Sequence, residues 1–122
     1  MKRILHVDDS RTARLMNSMI LGQRSNYELV SASDGKEALE KVHEVRPDLI
    51  LMNIIMPRMT GLEACRALKK DKETQEIPVI LLTAQGEEQN AQEAYASGCS
   101  DYLTKPVNEV QLLDMLKAYL GE

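Results

Sequence analysis

Two runs in this chain, Leu49-Ile50-Leu51-Met52 and Val79-Ile80-Leu81-Leu82, hold no polar residue and stop abruptly at Asn53 and Thr83. A strand with one wet face alternates polar and apolar residues; a strand that is apolar throughout must be covered on both faces. Two such runs therefore call for a parallel sheet with helices on either side. The length of 122 residues suits one domain, 1–122. With 43% hydrophobic residues there is enough material for one core. Four Tyr, no Phe and no Trp make that core aliphatic, with seven Met as adaptable filler.

The rest of the chain fits the same scheme. Short apolar runs alternate with amphipathic stretches, the pattern of an α/β fold. Ile4 to Val7 is the first strand and ends at Asp8-Asp9. Ser10 is a plausible N-cap for a first helix, whose face is read from Ala13, Met16 and Ile20, running toward Gly22. Tyr27 to Ala32 is the second strand. Ser33-Asp34-Gly35 turns into a second helix with Ala38, Leu39, Val42 and Val45 on its apolar face. Pro57 and Gly61 lie in a loop before a third helix carrying Leu62, Cys65 and Leu68. Gly86 to Ser97 reads as a polar, Ala-rich fourth helix, Ser100 to Thr104 as the fifth strand. The fifth helix shows Val110, Leu113, Leu116 and Leu120 on one face. The reading is (βα)5.

Placed on that scheme, the polar residues collect. Asp8 and Asp9 end the first strand, Asn53 the third, Thr83 the fourth and Lys105 the fifth. In an open parallel sheet, ligands bind beyond the carboxyl ends of the strands, where the strand order reverses. Two adjacent carboxylates with an oxygen from position 53 suit a hard cation such as Mg²⁺, which takes oxygen ligands and keeps several waters. A lysine and a hydroxyl opposite suit phosphoryl oxygens. The arrangement is one for phosphoryl chemistry on a side chain.

The segments Ile4–Asp9, Pro47–Gly61, Ile77–Ala84 and Asp101–Pro106 resemble the CheY-like receiver domains of two-component signalling, and the resemblance covers essentially the whole chain. It implies a doubly wound, flavodoxin/CheY-like five-stranded parallel sheet in the order 2-1-3-4-5. It implies that Asp8 and Asp9 hold Mg²⁺ together with the carbonyl of Ile55 and the residue-53 side chain. Position 53 is then the phosphoacceptor, Thr83 and Lys105 contact the acyl phosphate, Thr83 and Tyr102 are switch residues, and the bond before Pro106 is cis. A histidine kinase or phosphotransfer protein would dock along the first helix, near Arg11, Arg14, Leu15 and Met19. An output partner would use the fourth helix, fifth strand and fifth helix, with Tyr102 and Tyr119. The departure is Asn53, where the family needs an aspartate nucleophile. The expectation is an acceptor-site substitution in an otherwise complete receiver that is not itself an enzyme. The alternative is a natural pseudo-receiver that binds partners without phosphorylation.

Other readings are excluded or plain. An aspartyl phosphohydrolase needs a second carboxylate two residues after its nucleophile, and no DxD ends a strand; nor is there a GxxxxGK[ST] nucleotide loop. Net charge of −4 argues against direct contact with nucleic acid or anionic membrane. No apolar run is long enough to span a bilayer and the N-terminus lacks a signal-peptide pattern, so a cytoplasmic location is expected. Cys65 and Cys99, without CxxC spacing, read as buried reduced thiols. His6 reads as a satisfied core or edge histidine. Met16, Met19, Met52, Met56 and Met59 read as core and loop packing, and Lys69-Lys70-Asp71-Lys72-Glu73 as a solvated helix end and loop.

Overall fold

The computed structural model describes residues 2–24, 27–83 and 90–121. Its elements run β1 (Arg3–Val7), α1 (Arg11–Arg24), β2 (Glu28–Ala32), α2 (Gly35–Val45), β3 (Leu49–Asn53), α3 (Gly61–Lys70), β4 (Val79–Thr83), α4 (Asn90–Ala96), β5 (Asp101–Thr104) and α5 (Glu109–Leu120). The strands form one parallel sheet in the order β2-β1-β3-β4-β5. The part of the expected fourth helix before residue 90, and Ala84, lie outside the described residues. Among the described residues no helix is long and apolar enough to cross a membrane.

Every residue of β3 and β4 is buried, as their unbroken apolar runs require. Alternate residues then serve opposite faces. Leu5, Val7, Ile50, Met52, Val79 and Leu81 pack with Ala38 and Val42 of α2 and Ala64, Cys65 and Leu68 of α3. Ile4, Leu49, Leu51, Ile80, Leu82 and Leu103 pack with Leu21 of α1 and Leu112, Leu116 and Leu120 of α5. The helix starts are capped by their own sequence: Ser10 Oγ accepts from Ala13 N–H, Asp34 from Glu37, Asn108 from Gln111, and Thr60 forms a reciprocal capping box with Glu63.

Two helix faces differ from the expected ones. On α1, Met16 and Met19 are exposed at 59% and 65%, so neither is core, and the buried positions are Asn17 and Leu21. On α5, Val110 is exposed and Leu112 takes the inward place ahead of Leu116 and Leu120. Asn17 is inside because β1 sends His6 to the same face as Ile4. The Asn17 side-chain amide donates to His6 Nε2 at 3.1 Å, which makes Nδ1 the protonated nitrogen in this arrangement. Nδ1 has no partner among the described residues, so His6 is only half satisfied.

Burial drives the His6 pKa down from 6.5 to about 4; the carboxylate of Asp8 opposes this, while Lys105 and Arg14 add to it. The unfolded chain then binds a proton at His6 that the folded chain refuses. This contribution to stability is complete above pH 6.5 and is lost as pH falls toward 4, by up to about 3 kcal/mol. Urea unfolding between pH 7 and pH 4.5 should show the parent chain losing stability relative to His6→Leu across that window. A difference between the two that does not change with pH would contradict it.

Candidate functional site

The carboxyl ends of β1, β3, β4 and β5 meet at the point where the strand order reverses, between β1 and β3. Asp8 leaves the end of β1 fully buried. A carboxylate there must be paired, and it is. Lys105 Nζ lies 2.8 Å from Asp8 Oδ2, while Oδ1 accepts the backbone N–H of Ser10 at 2.9 Å. Lys105 reaches Asp8 from the end of β5, where its own N–H donates to the carbonyl of Thr83 at 2.7 Å. The Lys105–Pro106 bond is cis. Thr83 is buried at the end of β4. Asp9 is exposed, on the solvent side of the same edge.

Asn53 closes β3 and is 9% exposed. Its Nδ2 donates to the carbonyl of Ile55 at 2.8 Å and lies 3.4 Å from Asp9 Oδ1. A carbonyl oxygen only accepts, so the contact to Ile55 fixes which end of the amide is nitrogen. The structure therefore gathers Asp8, Asp9, Asn53, the Ile55 carbonyl, Thr83 and Lys105 at one edge. It departs from expectation in one respect: position 53 turns a donor, not an oxygen, toward the other oxygens. The carboxylates of Asp8 and Asp9 with the Ile55 carbonyl make a hard-oxygen set suited to Mg²⁺. Asn53 joins that set only if its amide turns over to present Oδ1.

Tyr102 is half-buried on β5 and meets Tyr95 of α4 edge to face, with ring centroids 5.6 Å apart. Tyr119 of α5 donates to the carbonyl of Ser100 at 3.0 Å, and the hydroxyls of Tyr95 and Tyr119 each lie 3.4 Å from a carboxylate oxygen of Asp101. On α1, Leu15 and Met19 are exposed, as is Ile55 on the loop after β3. Arg14 is not a free surface charge: its guanidinium donates to the carbonyl of Asp8 at 2.5 Å.

Other polar groups were invisible from sequence. Arg58, in the loop after β3, donates twice to Asp34 Oδ2, at 2.8 and 2.6 Å. His43 has Asp71 and Glu73 at 3.3 and 3.0 Å from its two ring nitrogens, a polar cluster joining the end of α2 to the turn after α3. Lys69 is not simply solvated, since it donates to the carbonyls of Gln75 and Ile77. Cys65 and Cys99 are buried and free, and burial pushes both thiols up, Cys99 to about 11, which leaves them unreactive.

Residues 4–117 match the family described as response regulator receiver domain. The chain is 38% identical over 121 residues to protein PilH of Pseudomonas aeruginosa, covering 99% of each. Three transcriptional regulators that it also matches are longer, and it spans 48% to 52% of their length. Its fold is similar to that of chemotaxis response regulator CheY4 of Vibrio cholerae, with TM-score 0.89, 37% identity, and coverage of 98% of this chain and 99% of that one. It is also similar to the receiver domain of a Pseudomonas aeruginosa sensor histidine kinase that has a magnesium ion coordinated in its active site cleft. There the TM-score is 0.90, the identity 26%, and the coverage 99% and 98%.

An aspartate at 53 would set a third carboxylate against the single ammonium of Lys105. Like charges a few Å apart repel by at most about 4 kcal/mol at an effective dielectric of 20, and by less where water screens them, as at Asp9. Asn53→Asp should therefore melt a few degrees lower than the parent in EDTA. It should recover more than the parent does in millimolar Mg²⁺, because a bound ligand stabilises the state that binds it. Equal Mg²⁺ responses in the two melting curves would remove residue 53 from the cation site.

Proposed function

Because the chain belongs to the response regulator receiver family, we propose that it is a two-component receiver whose acceptor position has lost its nucleophile. The observation that carries this is Asn53 at the end of β3, beside Asp9 and the Ile55 carbonyl, with Asp8 and Lys105 paired at the same edge. In a receiver with aspartate at this place, a carboxylate oxygen attacks the phosphorus of a phosphohistidine. An oxygen–phosphorus bond forms and the bond from phosphorus to the imidazole nitrogen breaks. The Asn53 amide carries no charge and its nitrogen lone pair is delocalised, so it does not attack. Mg²⁺, held by Asp8, Asp9, the Ile55 carbonyl and residue 53, would supply charge neutralisation for the phosphoryl oxygens. Lys105 and Thr83 would hold the remaining oxygens, and Thr83 with Tyr102 would carry the change to the β5 face.

A second reading is a pseudo-receiver that binds partners without phosphorylation. What favours it is the Asn53 amide itself, a neutral donor that ties the Ile55 carbonyl to the end of β3. The experiment that separates the two restores the carboxylate. Asn53→Asp with acetyl phosphate and Mg²⁺ is expected to gain the mass of one phosphoryl group, labile in base, and to lose that gain when Asp9→Ala is added. The parent chain is expected to stay unmodified. An Asn53→Asp protein that also stays unmodified would favour the pseudo-receiver.

The phosphodonor would be a histidine kinase or phosphotransfer protein docking on α1, and the output partner would take the face of α4, β5 and α5. The exposed apolar side chains Leu15, Met16 and Met19 of α1 support the first assignment. Since Arg14 is engaged with Asp8, Met19 is the better probe. Met19→Asp is expected to weaken kinase binding at least tenfold, measured by titration calorimetry, while Glu40→Lys on α2 leaves it unchanged. Equal effects at the two positions would count against this docking face.

A further inference from the structure

The loop from Ile54 to Thr60 carries the Ile55 carbonyl to the site. Its inner end is fixed by the sheet: Ile54 donates to the carbonyl of Leu82 at 2.9 Å, and Gly61 donates back to the carbonyl of Ile54 at 2.8 Å. Gly61 is required there, since a Cβ would stand 2.3 Å from the carbonyl oxygen of Asn53. The outer end is built differently. Met59 donates to the carbonyl of Pro57 at 2.7 Å across Arg58, whose φ is 68°. A three-residue turn around a positive-φ centre is rare and strained. Glycine would adopt it at little steric cost, yet the residue is arginine.

What the arginine adds is a bond. Its Nε and Nη2 both reach Asp34 Oδ2, and Asp34 is 5% exposed and caps α2. The Glu37 N–H first, and Arg58 after it, hold that carboxylate below the usual range, so the pair stays charged. Next to Asp34, Gly35 lets Met59 settle onto α2; a Cβ at Gly35 would stand 2.7 Å from the Met59 carbonyl oxygen. Arg58 and Met59 thus dock on Asp34 and Gly35, while three residues earlier the Ile55 carbonyl accepts from Asn53.

We propose that Arg58 is a positioning residue: its ion pair with Asp34 holds the strained turn and so fixes the Ile55 carbonyl at the site edge, coupling the start of α2 to that edge. Its bearing on a cation rests on the reading of the site given above; its bearing on the carbonyl does not. The Asn53 side-chain amide reports the carbonyl directly, because the two are bonded. In the parent chain, Arg58→Met and Arg58→Gly are both expected to shift the Asn53 Nδ2 hydrogens in ¹⁵N-resolved spectra and to speed their exchange with solvent. Arg58→Lys should restore them in part, since a single ammonium replaces a fork of donors. Glu28→Gln, which removes the exposed Arg3–Glu28 pair, should leave them unmoved. Arg58→Gly relaxes the backbone and so tests the clamp even if Arg58→Met folds poorly. In Asn53→Asp, the same Arg58 variants should weaken Mg²⁺ about tenfold, the scale of losing a group that orients a ligand. Unmoved Asn53 signals in Arg58→Gly would overturn the proposal, whatever the melting temperature does. An Asn53→Asp protein that binds no Mg²⁺ would overturn the cation reading and leave the Arg58 result standing on the amide signals.

Discussion

All five residues of β3 and all five of β4 are buried, and a strand covered on both faces has no place for an unpaired polar side chain. Leaving one there costs on the order of 1–3 kcal/mol. The polar groups of β1, β3 and β4 therefore sit at their ends, apart from His6, which lies within β1 and draws a buried asparagine from α1 to meet it. Because β1 and β3 are neighbours whose helices go to opposite faces, the ends of these strands open onto a crevice. The same constraint that makes the core apolar concentrates carboxylate, amide, hydroxyl and ammonium at one edge.

Charge at that edge is close to balanced. Asp8, fully buried, and Lys105, partly exposed, neutralise each other, and Asp9 keeps its charge in solvent. With aspartate at 53 the same edge would carry two unbalanced negative charges, and a divalent cation would be the natural answer. With asparagine that demand falls by one charge. The amide bonds the Ile55 carbonyl as a neutral donor, a contact worth about 1 kcal/mol net. An amide in place of a carboxylate thus lowers the demand for a cation, while the loop after β3 stays tied to the strand it leaves.

The strands were legible to within a residue because their signals are local: apolar runs with polar ends. The edge was legible for the same reason, since Asp8, Asn53 and Thr83 each follow a run directly, with Asp9 one residue further and Lys105 just after β5. What escaped was set by partners distant in sequence. Helical periodicity put Met16 inside, but Asn17 is the inward residue because it meets His6, eleven residues before it. Val110 fitted the apolar stripe of α5, yet Leu112, Leu116 and Leu120 are the residues that reach the sheet. Arg14 looked like surface charge until the carbonyl of Asp8 was seen beneath it. Nothing in Pro57-Arg58-Met59 announces a positive φ at arginine, because the reason lies in Asp34, twenty-four residues before.

Stability alone does not account for the Asp8–Lys105 pair. Burying two charges costs about as much as their attraction returns, and an apolar pair of similar volume commonly does as well or better. Lys105 is 27% exposed in its side chain and Asp8 not at all, so the lysine could reach water while the carboxylate could not. A chain needing only to fold would gain little by holding a buried carboxylate at the end of β1 with an ammonium from the end of β5. A chain that must place an ammonium and a carboxylate around a phosphoryl group needs both there. The pair is thus easier to explain by chemistry than by packing, and on the function proposed above it stands intact beside an acceptor position that would lack its nucleophile. This imbalance supports reading Asn53 as a change made to a working receiver site, rather than one member of a set of losses.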